Sequence, residues 1–154
     1  MGVTLKVTGI ERAVRDIKKA LDAYKGGRIY ATIGVHSDAK PEENGESTAV
    51  VAAANHYGTG KIPARPFLDK GVEREREAIA TDVAKALAAG KRPEEAIARA
   101  ALLAVRGVQK QIDETLSPPN STRTIAIKGS SHPLIDTGNM RQSIAYKLYD
   151  KRQK

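Results

Sequence analysis

Four of the seven prolines, Pro63, Pro66, Pro118 and Pro119, fence off the one long region of this 154-residue chain in which helical periodicity is sustained. Proline fixes its own φ at about −65° and drives the residue before it into extended space. Ile62 and Arg65 are therefore barred from any helix, and Ile62–Phe67, IPARPF, is a strap made stiff by its own covalent geometry. Inside the fence, Leu68, Val72, Ile79, Val83 and Leu87 recur at helical spacing and predict a long helix that breaks at AAGKRPEE. Pro93 then occupies the first turn of a second helix, with Glu94 and Glu95 near its positive end. The stripe of this second helix is Ile97, Ala101, Ala104, Val108, Ile112 and Leu116. Joined by a few residues, the two predict an antiparallel hairpin, since heptads are not sustained through the break as a coiled-coil rod requires.

What such a hairpin packs with is limited by the side chains on offer. There is one phenylalanine and no tryptophan, so the interior must be built from Ala, Val, Ile and Leu, which favours close helix packing through alanine. One domain is expected over residues 1–154, a length that buries a real core. The absence of cysteine excludes a disulfide framework and a thiolate metal site and is the composition of an intracellular chain. No apolar run reaches the length of a membrane span, the N-terminus lacks the pattern of a signal peptide, and Lys6 breaks the myristoylation pattern.

Outside the hairpin the elements are short. Val3–Gly9 alternates as a strand, and Ile10, Val14, Ile17, Leu21 and Tyr24 define an amphipathic helix closed by Gly26 and Gly27. Arg28–Val35 is β-branched and predicts a second strand beside the first. His36–Ser47 is polar and rich in turn residues, and is expected to be a mobile loop. Ser47 or Thr48 is placed to cap a helix through TAVVAAANHYG, which Gly58 ends. Thr124–Lys128 reads equally as a strand or a single helical turn. Asp136 or Thr137 is placed to cap a brief helix through Ser143, and IAYKLY alternates as a final strand. The fold class is thus α+β: a small, mostly antiparallel sheet packed with a long helical hairpin and short helices.

The residues offer no reaction. His36, His56 and His132 lie far apart without metal-ligand spacing, and a site from His132, Asp136 and a distant third ligand has no motif behind it. GTGK at Gly58–Lys61 is a false phosphate loop, because the pattern needs glycine where Asn55 stands and Ser or Thr where Ile62 stands. Ser130, Ser131 and Ser143 have no nucleophile-elbow context. No cofactor and no enzymatic activity are expected. The net charge of +8 is uneven: residues 118–154 hold seven basic and two acidic groups, more than half of the excess, ending in a basic tail over residues 149–154. That suits a polyanion or an acidic partner as well as it suits a solvated tail.

Two segments carry a resemblance. NHYGTGKIPARPFLDKGVE (Asn55–Glu73) and STRTIAIKGSSHPLIDTGNMRQSIAYKL (Ser121–Leu148) resemble the paired signatures of the neck or tail-completion proteins of tailed bacteriophages, which act in head-to-tail joining and virion morphogenesis. The resemblance covers the second and fourth quarters of the chain. It implies a non-enzymatic structural protein of the virion, assembled in the host cytoplasm. It also implies a homo-oligomeric ring on the particle axis, in contact with other neck, connector or tail proteins and with passing DNA. On that basis Ile62, Arg65, Phe67, Asp136 and Met140 are candidates for subunit or partner contact, Arg65 because two flanking prolines are expected to display its side chain outward. Phe67 is either an anchor in its own core or a plug for a neighbour. Lys147, Lys151, Arg152 and Lys154 are candidates for lining a DNA channel. From another class, a sequence-independent nucleic-acid-binding accessory protein fits the same basic end.

Overall fold

The computed structural model describes residues 29–150. The predicted strand at Val3–Gly9, the helix over Ile10–Tyr24, and Lys151, Arg152 and Lys154 lie outside these residues. Within them the order is β1 (Ile29–Val35), α1 (Thr48–Tyr57), α2 (Phe67–Arg74), α3 (Arg76–Ala88), α4 (Pro93–Glu114), α5 (Thr122–Lys128), α6 (Asn139–Gln142) and β2 (Ile144–Asp150). The two strands pair antiparallel, from Ile29 opposite Asp150 to Val35 opposite Ile144. The fold is a mixed α+β one.

The axis of the molecule is α4, 22 residues long, which touches α2, α3, α6 and both strands. Its N-terminal half forms the expected hairpin with α3, closed by Ala86, Leu87 and Ala96 and fastened by the Arg99 guanidinium, which donates to both Asp82 carboxylate oxygens at 2.6 and 2.9 Å. The turn between them carries Gly90 at positive φ, and Pro93 opens α4 as the sequence predicts. The C-terminal half of α4 gives Val108 and Ile112 to the main core, where they meet Phe67, Leu134, Met140, Ile144 and Ala52. Aliphatic side chains dominate around the Phe67 ring, as composition requires.

The long helix expected through Leu68–Leu87 is in fact two. It breaks at Glu75, whose N–H bonds back to Val72 O, and α3 restarts at Arg76. The reason lies in α4. Gly71 of α2 sits against the Val108 backbone, and Gly107 of α4 sits against the Gly71 carbonyl, so the two helices cross backbone to backbone. The α3 segment packs on α4 through side chains instead, with Val83, Ala86 and Leu87 meeting Ala96.

The short elements settle the open readings. Thr122–Lys128 is helical, capped by the Ser121 hydroxyl, which accepts from Thr124 N–H at 3.2 Å, and ended by Gly129 in the left-handed region. At α1 neither Ser47 nor Thr48 caps by its side chain: the buried Thr48 hydroxyl donates to Lys40 O at 2.6 Å. At α6 the cap expected of Asp136 is absent, and Thr137 Oγ1 accepts the Asn139 N–H at 3.3 Å. The loop expected to be mobile, His36–Ser47, is tied by the Lys147 ammonium to Asp38 (2.8 Å) and by the Asn139 amide to the Lys40 and Pro41 carbonyls (both 3.3 Å).

Candidate functional site: a cleft between the strap and the 120–140 segment

A cleft of about 810 Å³ opens where the two proline-bounded regions meet. One wall is the strap (Lys61, Ile62, Pro63, Arg65) with Asn55 and Val51 of α1. The opposite wall is the start of α5 with Lys128, and Pro133, Leu134 and residues 136–140. The 42–46 turn, bearing Glu42, Glu43 and Glu46, forms the lip.

Arg65 organises this junction. Its backbone N–H donates to Asn55 O at 2.8 Å, which fixes the strap to the end of α1. Its side chain then turns inward, and Arg65 is only 3% exposed. The guanidinium donates to Pro118 O (2.8 Å) and Pro119 O (3.2 Å), to Asn55 Oδ1 (3.3 Å) and to Asn120 Oδ1 (3.4 Å). All four acceptors are neutral. Burial holds its pKa below the ordinary arginine value, yet a guanidinium remains charged at any ordinary pH. The expectation of an outward-facing Arg65 is thus corrected. Two prolines stiffen the strap, but carbonyls from the other proline pair lie in reach, and a planar fork with five donors binds several acceptors at once.

The neighbouring anchors are also internal. Phe67 is 1% exposed, with its ring edge-on to His56 at 5.4 Å. His56 is itself buried: Nδ1 accepts from the Leu68 N–H at 3.4 Å and Nε2 faces Asp69 Oδ2 at 3.4 Å, so α1 supplies the cap that α2 lacks. Met140, a candidate for partner contact in the sequence, is buried in the core instead. Arg65, Phe67 and Met140 consequently hold the protomer together and have no surface to offer another chain. Ile62, partly exposed, and Asp136, exposed, both lie in the cleft and keep that capacity. Lys147 is half-buried on β2 and its charge is met by Asp38.

Inside the cleft Lys128 is the unusual group. Its ammonium donates to His132 O at 3.3 Å, and burial pushes its pKa down, against the pull of Asp136 and with the push of the Arg65 charge. The site therefore carries positive charge at Lys61 and Lys128 on its walls and carboxylates at Glu42, Glu43 and Glu46. Its hydroxyls serve the backbone: Ser121 caps α5, and Ser130 Oγ accepts the His132 N–H at 3.2 Å. His132 Nε2 meets Asp113 O at 3.0 Å. Among the described residues no three His, Asp or Glu side chains gather as a metal would need, and no helix is long and apolar enough to cross a membrane.

No family model, curated protein or solved structure matches this chain.

Sequence reasoning missed the asparagines. Asn55 donates to Val51 O at 2.9 Å, which turns its Oδ1 toward Arg65. Asn120 reaches back to His132 O at 3.2 Å, and Asn139 adds a bond to Thr48 Oγ1 at 3.0 Å. Each joins segments remote in sequence. The only signal available was position, since Asn55 and Asn120 each lie next to a helix end or a proline pair.

Proposed function

We propose that the protein is a structural component of a tailed-bacteriophage virion, a non-enzymatic neck or tail-completion protein that assembles as a homo-oligomeric ring in the host cytoplasm. The observation that supports this most is the shared core: the two segments that resemble the phage signatures, far apart in sequence, meet where Phe67 of the first packs with Leu134, Met140 and Ile144 of the second, while Arg65 binds residues 118–120 just before the second begins. A pair of motifs conjoined in this way is a scaffold for presenting surfaces, and the cleft between them serves a polar segment of a neighbouring component. Because Arg65, Phe67 and Met140 are internal, ring contacts fall to exposed apolar groups. Chief among them is α5, which buries none of its residues and displays Ile127 at 77% exposure.

The test is the mass of the purified full chain in solution by light scattering, alone and with candidate neck or tail components. A discrete oligomer, or one formed on mixing, is expected. A chain that stays monomeric in every mixture and is dispensable for particle completion overturns the proposal. The basic end favours a second reading, a sequence-independent nucleic-acid-binding accessory protein, which requires the isolated protein to bind DNA at physiological salt.

A further inference from the structure

Helix α1 is apolar toward solvent as well as toward the core. Thr48, Ala52 and His56 are buried, and Val51 and Asn55 line the cleft. On the side away from the core, Val50, Ala53, Ala54 and Tyr57 fall within about 100° of arc. Val50 is 67% and Tyr57 77% exposed, with Ala53 exposed and Ala54 partly so. The Tyr57 ring is held edge-on by the His56 ring at 4.5 Å, so it is displayed in a fixed position. The helix contains no Asp, Glu, Lys or Arg. A surface helix ordinarily sets charged side chains opposite its core stripe, and one that is apolar on both sides has the pattern of a covered helix.

This outer face is laid out evenly about the middle of the helix. Ala53 and Ala54 occupy the centre, and Val50 and Tyr57 stand at equal spacing on either side. A second α1 laid across it antiparallel sets Val50 of each copy against Tyr57 of the other, with the alanines at the two-fold axis. Small side chains at a crossing let helix axes approach to about 8 Å. The charges that flank the helix are of opposite sign at its two ends. Glu43 and Glu46 precede it and Lys61 follows it, all three are exposed, and among the described residues none has an ion-pair partner. In the antiparallel pair each acidic end comes to the partner's Lys61, and the helix dipoles oppose; a parallel pair sets like charges together.

We propose that the outer face of α1 is a two-fold contact between two copies of this chain, packed antiparallel through Val50, Ala53, Ala54 and Tyr57. A two-fold contact uses the same patch on both partners and so requires a patch that complements itself. The α1 face meets that requirement twice, in its apolar layout and in the charges at its ends, whereas a foreign partner needs neither symmetry. The contact is separate from the ring contacts assigned to α5 and stands independently of the virion reading.

The chain has no cysteine, so engineered thiols report without background. Full-length variants carrying Ala53→Cys, Val50→Cys or Tyr57→Cys are oxidised mildly and run on non-reducing gels, with Ala88→Cys at the exposed end of α3 as the control for random collision. Ala53→Cys is expected to give a disulfide-linked species of dimer mass well above the control. Val50→Cys mixed with Tyr57→Cys is expected to link more than either variant alone, with peptide mapping placing the bond between positions 50 and 57. Linkage of Ala53→Cys no greater than that of the control assigns the face to some other cover and overturns the proposal. So does Val50→Cys linking as well alone as in the mixture, which is the result of a parallel pair. An oligomer that persists through either failure leaves the α5 contacts standing and removes only the α1 pair.

Discussion

At the scale of the residue, the energetics of this molecule turn on Arg65, whose charge is taken from water and given four neutral acceptors. Hydrogen bonds from a charged group contribute more than neutral ones, and carbonyls left without a donor carry their own desolvation cost. Arg65→Lys keeps the charge but a single ammonium cannot span the set, so a loss of about 2 kcal/mol is expected, and about 3 kcal/mol or more for Arg65→Ala, read from urea denaturation. An unchanged midpoint for both would show the junction to be energetically idle. Phe67→Ala removes the one aromatic ring of the core and is expected to cost about 3–5 kcal/mol. Because Phe67 is 1% exposed, this loss should be seen at concentrations where only monomer is present; a loss of association with unaltered monomer stability would contradict its internal role.

At the scale of the element, the crossing of α2 over α4 makes a prediction that runs against helix propensity. Alanine is a better helix former than glycine by about 1 kcal/mol, so Gly71→Ala or Gly107→Ala in an isolated helix stabilises. Here a Cβ at Gly71 meets the Val108 backbone and one at Gly107 meets the Gly71 carbonyl, neither of which can swing aside. Each substitution is therefore expected to destabilise by about 2 kcal/mol, and a gain in melting temperature would refute the close crossing. Charge pairs also tie these helices: Arg74 donates to Glu114 at 2.7 Å between α2 and α4, as Arg99 does to Asp82 between α3 and α4. Hydrogen bonds from the arginines, foremost, hold the Glu114 and Asp82 carboxyls below their ordinary values. A folded-state pKa that is depressed gives stability above the unfolded value and loses it as pH falls through the folded one. Stability is thus expected to decline as pH drops through and below the usual carboxylate range, and the decline to shrink in the variant Asp82→Asn with Glu114→Gln. An identical acid limb in that variant would remove these pairs from the account.

At the scale of the whole molecule, assembly and charge are the quantities to measure. If α5 forms subunit contacts, Ile127→Asp is expected to dissociate the oligomer while leaving the melting temperature within a degree or so, since an exposed side chain contributes little to the fold. Retention of the oligomer would move the interface elsewhere. Reversal of Lys151, Arg152 and Lys154 tests the channel role: weak, sequence-independent DNA binding that falls steeply with salt should vanish, and undiminished binding would free the tail of that role. Lys147 belongs in a separate variant, because reversing it also breaks the Asp38 pair that holds the 36–47 loop. The sequence by itself determined what local chemistry controls. Prolines bounded the strap and stopped α4, the AAGKRPEE break and Pro93 turned the hairpin, β-branching marked β1, alternation marked β2, and helical periodicity picked out Val108 and Ile112, which are interior. These follow from φ restrictions and from the periods of helix and strand, which act over a few residues. Only the tertiary structure decided the direction of Arg65, the break at Glu75, the glycine crossing and the work of the asparagines. Each depends on a partner about 10 to 100 positions away whose distance no local rule encodes: Pro118 for Arg65, Val108 for Gly71, Lys40 for Asn139. A side chain's direction is set by the acceptor that compensates its lost hydration, and that acceptor exists only once the chain has folded.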